Sequence, residues 1–115
     1  MKWHKYNAVK TEVDGIVFDS RREAARYGEL KMMQKAGVIS GLGLQPEYTL
    51  QDTFFYTEGG KKKRCNAIKY RPDFVYVEGG QQVAEDVKGF ETEAFRIKAK
   101  LFRKRYPEYE LRITK

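Results

Sequence analysis

The sequence of 115 residues contains one cysteine, Cys65, and one histidine, His4. A single cysteine cannot form an intramolecular disulfide, and cysteines and histidines this scarce cannot build a zinc cage. These shortages exclude disulfide-stapled scaffolds and zinc fingers and argue against a histidine-based metal site. Any metal held by this chain would need oxygen ligands, chiefly carboxylates.

Long apolar runs are also missing. No stretch approaches about 18 apolar residues, and the N-terminal "MKWHKYNAVK" has no apolar signal core. We therefore expect neither membrane insertion nor secretion, and predict a cytoplasmic protein. Hydrophobic residues make up 41% of the chain and charged residues 34%, which is globular composition. The length predicts one domain spanning residues 1–115.

Positive charge is what the sequence has in excess. The net charge is +7 and the isoelectric point is about 9.5. The cations concentrate in two clusters, "KKKR" at 61–64 and "RIKAKLFRKR" at 96–105. Such clusters favour a polyanionic partner, and nucleic acid is the usual one. The alternative is a solvated loop and a solvated helix face.

The first half of the chain predicts a hairpin, a helix and extended segments. β-Prone runs flank Asp14-Gly15, a two-residue turn signal. Ser20, with Glu23 three residues later, predicts a helix start, and Gly37 predicts its end. Residues 44–57 alternate loosely and indicate extended structure, and "EGGKKK" at 58–63 is predicted to be a polar, mobile tip.

The second half predicts a further hairpin, a helix and a strand. The helix should run from about Thr92 to Tyr106, where Pro107 stops it, and "YELRIT" follows as a strand. Strands clustered between two helices predict an α/β domain. Its mixed central sheet should carry a helix on each side, with a β-hairpin in front.

The stretch "YRPDFVYVEGGQQVAEDVKG", residues 70–89, carries the charges that a plain hairpin does not need. A two-residue turn at Gly79-Gly80 fixes the cross-strand register. The predicted pairs are Glu78 with Gln81, Val75 with Ala84, and Asp73 with Asp86. Two carboxylates would then lie about 5 Å apart on one face, while Glu85 points to the other face.

Directly opposed carboxylates repel each other, so something must offset the repulsion. A divalent cation would do so, and hard oxygen ligands favour Mg²⁺ or Mn²⁺ over zinc. Lys88, on the same face as Asp86, could orient a water or stabilise phosphate charge. The alternative is that Asp73 and Asp86 are edge-strand charges that discourage aggregation, with Lys88 paired to Asp86.

Pro72-Asp73 and Asp86-Val87-Lys88 resemble the two parts of the PD-(D/E)XK nuclease signature. The chain over roughly residues 7–105 is similar to a family of small phage and prophage proteins placed in that superfamily. The matching stretches, in order, are "DGIVFDSRREAARYGEL", "LQPEYTL", "YRPDFVY", "EDVKG" and "ETEAFRIKAKLF". The resemblance implies an αβββαβ core and a bacterial host cell as the location. It also implies that the acids hold a catalytic metal over a DNA phosphate.

The resemblance also suggests roles for residues outside the hairpin. Glu23 would complete the metal site, although the capping box with Ser20 explains it without a metal. Gln45, at the start of a strand, would be an accessory polar group. Independently of the resemblance, helical spacing puts Lys98 on the border of the buried stripe of the second helix, where it would reach a phosphate or else be solvated. Non-specific contacts with the DNA backbone are assigned to Lys61, Lys62, Lys63 and Arg64.

These expectations combine into a Mg²⁺-dependent DNA endonuclease that uses a metal-activated water and no small-molecule cofactor. Two alternatives stay open: a non-catalytic DNA-binding module with the nuclease fold, and a basic scaffold protein of a replication complex. The small size favours recognition of branched DNA by shape, as in Holliday junction resolvases or flap nucleases. Cutting a symmetric junction suggests a homodimer. Its contacts would come from Trp3, Tyr6 and Val9 or from Phe54-Phe55-Tyr56.

Overall fold

The computed structural model describes residues 9–115, so His4, Trp3 and Tyr6 lie outside the described residues. Strands β1 (Thr11–Val13) and β2 (Ile16–Phe18) form the first hairpin, with Val13 paired to Ile16. Asp14 and Gly15 make its turn with φ values of 54° and 76°. Two positive φ angles are what a tight type I′ turn requires, so the sequence prediction is confirmed.

Helix α1 (Arg21–Lys35) begins and ends where the sequence predicts. The Ser20 side chain is the N-cap and accepts a hydrogen bond from the Glu23 backbone N–H at 3.1 Å. Gly37, with a φ of 80°, provides the left-handed residue that ends the helix. Both signals are local, which is why they can be recognised without tertiary information.

Five strands follow: β3 (Ile39–Leu44), β4 (Tyr48–Gln51), β5 (Phe54–Glu58), β6 (Lys61–Cys65) and β7 (Ile68–Tyr70). The segment predicted as extended at 44–57 is therefore split among separate sheets. β4 pairs with β7 and β5 pairs with β6, each in a two-stranded antiparallel sheet. The strand that joins the central sheet is β3, which ends at Leu44.

The predicted mobile tip at 58–63 is wrong in its secondary structure. Gly59 and Gly60, with φ values of 61° and 74°, form a two-residue turn, and the cations after it lie on strand β6. Cross-strand pairing of aromatic with basic side chains, such as Phe55 with Arg64, supplies contacts that extend the hairpin. A polar tip therefore becomes a regular β-hairpin.

The last elements are β8 (Phe74–Glu78), β9 (Gln81–Val87), α2 (Glu93–Arg105) and β10 (Tyr109–Thr114). The central sheet has the order β10-β9-β8-β3, in which β10 is parallel to β9 and the other pairs are antiparallel. The predicted mixed sheet and α/β class are confirmed. Because β8 and β9 are the two central strands, the edge-strand explanation for Asp73 and Asp86 is wrong.

Side chains of the sheet alternate between two apolar clusters, one under each helix. Phe74, Tyr76 and Val83 pack with Leu30 of α1 on one face. Ala84 and Leu111 pack on the other face with the α2 residues Phe95, Ala99 and Phe102. Strand β9, which contributes Val83 to one cluster and Ala84 to the other, is thus buried on both faces. Within residues 9–115 there is no helix of the length and apolarity needed to cross a membrane.

Candidate active site

The turn at Gly79-Gly80 sets the geometry of the site. Both glycines have positive φ, 57° and 78°, and the observed pairs Glu78 with Gln81 and Val75 with Ala84 match the predicted register. β8 begins at Phe74, so Asp73 lies just before the strand. Its Oδ2 accepts a hydrogen bond from the Val87 backbone N–H at 2.8 Å. This bond places Asp73 beside Asp86 at the end of β9.

The carboxyl group of Asp86 is almost fully buried, with 2% of the residue exposed. The Tyr70 hydroxyl donates a hydrogen bond to its Oδ2. Burial and the neighbouring Asp86 carboxylate raise the pKa of Tyr70, which keeps the phenol protonated and able to donate. Tyr70 therefore fixes the orientation of one carboxylate and leaves the second oxygen, Oδ1, for another partner.

The surroundings of Asp73 disfavour the negative charge of its carboxylate. Burial raises the pKa of its carboxyl group well above the usual range, and the adjacent Asp86 raises it further. The Val87 N–H opposes this shift, and Glu23 adds to it more weakly. A site that disfavours its own negative charge is a site where a cation would bind favourably.

Glu23 projects from the first turn of α1 toward the same acids and is buried, with 6% exposed. Burial, then Asp19 and then Asp86 raise its pKa to about 6, while Lys88 opposes the shift. In the described part of the chain, no hydrogen bond joins the Glu23 carboxylate to the Ser20 backbone N–H. Only the Ser20 half of the capping box is present, so the cap does not account for the Glu23 carboxylate.

Lys88 lies on the α2 side of the sheet. Its Nζ is 4.7 Å from the centroid of the Phe95 ring, and its backbone N–H donates to the Thr114 carbonyl at 2.8 Å. The predicted alternative, in which Lys88 is paired with Asp86, is not observed: among residues 9–115 no ion pair within 4.0 Å includes Lys88. Its ammonium group is held by the ring instead.

A cleft of about 550 Å³ opens beside Lys88 and Tyr70, and we call it the basic cleft. The cations that line it are Lys69, Arg71, Lys88 and Lys98. One acid, Glu47, also lines it and pairs with Lys69 at 3.0 Å and with Arg71 at 2.7 Å. The remaining charge is positive, which suits a phosphate backbone.

The other predicted residues divide into near and remote groups. Lys98 is half-buried on the border of the apolar stripe of α2 and lines the basic cleft with Lys88, and its contact with a phosphate stays a prediction. Gln45 does not start a strand. It follows β3 with a φ of 46°, which a strand does not permit, and its backbone N–H donates to the Asp73 carbonyl at 3.1 Å. Its side chain is exposed.

The cluster of Lys61, Lys62, Lys63 and Arg64 is exposed on β6 and does not line the basic cleft. Cys65 is half-buried rather than buried. Sequence reasoning missed Tyr70, Lys69 and Arg71, which stand directly before the Pro72-Asp73 motif. The stretch "KYRPD" could have indicated them, because the last residues of a strand that leads directly into the Pro72-Asp73 motif lie close to that motif.

Glu85 is the rival acid to Asp86, and the structure gives it a different role. It is fully buried on the α1 side of the sheet, with 0% exposed. Arg26 Nε donates to it at 2.6 Å, Thr114 Oγ1 donates at 2.8 Å, and the Tyr76 hydroxyl donates as well. A carboxylate with so many donors is structurally satisfied and is not free to hold a ligand.

The carboxylate oxygens of the site suit a hard divalent cation, although they are too few to surround one. Asp73 and Asp86 are within hydrogen-bonding range of each other and supply oxygen ligands. Glu23 is near enough to interact with both electrostatically. Over the described residues, no group of three or more His, Cys, Asp or Glu is gathered closely enough to hold a metal ion. The site therefore offers a metal ion the carboxylates of Asp73 and Asp86, with Glu23 nearby.

Replacing Glu23 with Gln is expected to lower cleavage activity at least about tenfold while the melting temperature moves little. The amide keeps the volume and the backbone bond to Ser20, because that bond uses the Glu23 N–H, and it removes only the negative charge. Thermal unfolding and single-turnover cleavage measure the two effects. Glu29→Gln, an exposed change on the same helix, is the matched control; wild-type activity in Glu23→Gln would leave Glu23 a purely structural residue.

No significant match was found among curated proteins or among solved structures. A family model described as "Protein of unknown function (DUF1064)" matches residues 3–115, which is nearly the whole chain. The match covers α1, the central sheet, α2 and all of the acids and cations described above. The chain therefore belongs to the DUF1064 family.

Proposed function

We propose that this protein is a DNA endonuclease that depends on Mg²⁺ or Mn²⁺ and belongs to the PD-(D/E)XK superfamily. One observation carries the proposal: Asp73 and Asp86 lie side by side at the end of β9, and Tyr70, which binds Asp86, lines the basic cleft together with Lys88. A half-buried carboxylate beside a buried one is costly to a fold, and a cation site would explain why this fold contains Asp73 next to Asp86.

The order of elements supports the same superfamily. Around the central sheet the chain runs α1, β3, β8, β9, α2 and β10, which is the αβββαβ order expected of the core. The hairpin β5–β6 and the pair β4–β7 are inserted between β3 and β8. They leave the order of the sheet intact and place Tyr70 at the acids.

Each residue of the site has a role in the proposed reaction. Asp73 and Asp86 would hold the divalent ion, with Glu23 as a further ligand, and Tyr70 orients Asp86. When bound, the ion would supply Lewis acidity and lower the pKa of a water. Lys88 would stabilise the negative charge that develops on the phosphate, because it lines the basic cleft and is close enough to lower the pKa of Glu23.

The basic cleft favours recognition of shape over sequence. Its cations would contact phosphates, which carry no sequence information. A nuclease that does not read sequence could select its substrate by shape, and branched DNA, such as a Holliday junction or a flap in phage recombination or replication, is the substrate we propose. A homodimer, which would make two coordinated cuts, stays a prediction of the same proposal.

A non-catalytic DNA-binding module is the second candidate. Two observations favour it: one oxygen of Asp86 is occupied by Tyr70, and residues 9–115 gather no group of three metal-binding side chains. In such a protein the basic cleft would bind DNA, and Asp73 would persist without a metal. Metal binding distinguishes the two candidates before any activity is measured.

Mg²⁺ is expected to raise the melting temperature of the wild-type protein. At ten times its dissociation constant, a ligand that binds only the folded state adds about 1.4 kcal/mol. A gain of this size corresponds to roughly 5 °C for a chain of this length. Differential scanning calorimetry in EDTA and at increasing Mg²⁺ measures the shift.

The matched variants for this measurement are Asp73→Asn and Asp52→Asn. Asp73→Asn should melt at a higher temperature than wild type in EDTA, because it removes carboxylate repulsion, and should gain little from Mg²⁺. Asp52 is exposed, so its variant should respond as wild type does. Equal Mg²⁺ shifts in wild type and Asp73→Asn would refute the metal site and favour the non-catalytic module.

A further inference from the structure

The hairpin β5–β6, residues Phe54–Cys65, is the part of the molecule that the proposed active site does not use; we call it the arm. All residues of its two strands are exposed except Cys65, which is half-buried. Three consecutive aromatic side chains are among them: Phe54, Phe55 and Tyr56 are 44%, 56% and 41% exposed. A soluble protein rarely leaves such an aromatic surface in water without a use for it.

Cations stand next to these rings on both faces of the arm. On one face, Phe55 pairs with Arg64, and the Nζ of Lys62 lies 4.7 Å from the centroid of the Phe55 ring. On the other face, Tyr56 pairs with Lys63, and the Phe54 and Tyr56 rings are 6.2 Å apart. A ligand that contacts any ring of the arm could therefore also reach a positive charge.

The charge of the arm identifies the class of partner. Residues 54–65 contain four cations and one acid, a net charge of +3, and the acid, Glu58, is paired with Lys63 at 3.1 Å. A second copy of this chain is also strongly positive, at +7, and would repel the arm. A polyanion that also carries flat aromatic surfaces fits both features, and single-stranded nucleic acid is such a ligand.

We propose that the arm binds the unpaired strand of branched DNA, with bases stacked on Phe55 and on the Phe54–Tyr56 face and with phosphates contacted by Lys61, Lys62, Lys63 and Arg64. Stacking on aromatic side chains is tolerant of sequence because every base has a flat face. In an intact duplex the bases are already stacked, so the rings would add little there. The arm would thus supply the preference for branches that phosphate contacts alone cannot give.

The connection to the active site is the strand pair β4–β7. The arm leaves this pair at Gln51 and returns to it at Ile68, and β7 ends at Tyr70, whose hydroxyl binds Asp86. An extended strand from Lys61 to Tyr70 spans at most about 30 Å. At the stacked spacing of about 3.4 Å, unpaired bases on the arm would lie within roughly nine nucleotides of the cut.

The test measures binding in EDTA, so that it does not require catalysis. Fluorescence anisotropy would compare a duplex, a fork with two unpaired strands of about 15 nucleotides, and a single strand, all of related sequence. Phe55→Ala and Phe55→Leu are each expected to weaken binding to the fork and the single strand by about tenfold. Phe55→Trp should retain affinity, and all three should bind the duplex within about twofold of wild type.

Variants of the arm's lysines test its contacts with phosphates. Lys62→Gln with Lys63→Gln should weaken binding to all three DNAs and reduce the slope of log affinity against log salt for the duplex by up to about 0.9 per lysine. Lys35→Gln, an exposed lysine of α1, is the matched control. Unchanged circular dichroism and melting temperature would establish that each variant is folded, as expected for exposed positions.

Two results would overturn the arm proposal. The first is unchanged binding to the fork and the single strand in Phe55→Ala. The second is that Phe55→Leu retains DNA binding while Phe55→Ala loses it and also changes from dimer to monomer in light scattering. That result would make the arm an interface between copies.

The proposal rests on the proposed function only in its ligand, DNA. Fork binding that depends on Phe55 without any cleavage would support the arm and remove the nuclease, whereas failure to bind any DNA would overturn both.

Discussion

Asp73→Asn is expected to lower the rate of DNA cleavage by at least about a hundredfold. The substitution keeps the side-chain volume and an oxygen that can accept the Val87 N–H, but it removes a charged metal ligand. Loss of a ligand removes several kcal/mol of stabilisation, and each 1.4 kcal/mol is a tenfold change in rate. Single-turnover cleavage of a forked DNA with saturating enzyme measures the effect on the chemical step.

Asp86→Asn should behave in the same way, because its amide oxygen can still accept the Tyr70 hydroxyl. DNA affinity in EDTA should be unchanged or slightly tighter in both variants, since negative charge is removed beside the basic cleft. Asp52→Asn serves as the control for an exposed aspartate. If either active-site variant retained the wild-type rate, its aspartate would not be a metal ligand.

The largest expected effect on stability belongs to Glu85→Gln, at about 3 kcal/mol of lost free energy of unfolding. Glu85 is fully buried, and Arg26 donates two hydrogen bonds to it, from Nε at 2.6 Å and from a terminal nitrogen at 3.0 Å. Removing the charge of Glu85 leaves Arg26, whose side chain is only 23% exposed, with the exposed Glu29 as its remaining ion partner. Urea unfolding should show the loss, and Glu29→Gln, which removes the exposed partner of Arg26, should cost less than about 0.5 kcal/mol.

The pH dependence of stability provides a separate check. Burial alone would raise the pKa of Glu85, but the hydrogen bonds from Arg26, Tyr76 and Thr114 outweigh it and hold the pKa below the usual range. A depressed pKa contributes stability above the unfolded value of about 4.3, and this contribution is lost as the pH falls through the lower folded value. Glu85→Gln should lack that acidic part of the curve; parallel curves for variant and wild type would contradict this role.

Local signals made much of the fold predictable. The turns at Asp14-Gly15 and Gly79-Gly80 and the Ser20 cap each depend on a few neighbouring residues. The register of β8 and β9 follows from one of these turns, and it correctly put Asp73 near Asp86 and put Glu85 on the opposite face. One turn therefore determined the main feature of the candidate site.

Apart from the β5–β6 hairpin, whose strands are adjacent in sequence, the errors arose where pairing partners are distant in sequence. Nothing local distinguishes β3, which joins the central sheet, from β4, which pairs with β7 outside it. The contact of Tyr70 with Asp86 and the positions of Lys69 and Arg71 depend on that same non-local pairing. Gln45 was misassigned because its positive φ arises where the chain leaves β3, before Pro46.

Cleavage of a panel of DNA substrates by the wild-type protein would decide whether it is a metal-dependent endonuclease. The panel contains linear duplex, flap, fork and four-way junction DNA, each end-labelled and incubated with Mg²⁺, with Mn²⁺ or with EDTA, beside Asp73→Asn as the inactive control. A metal-dependent endonuclease should cut the branched substrates near the branch in Mg²⁺ or Mn²⁺, and should cut nothing in EDTA. Branched DNA that is bound but stays intact in both metals would contradict the account.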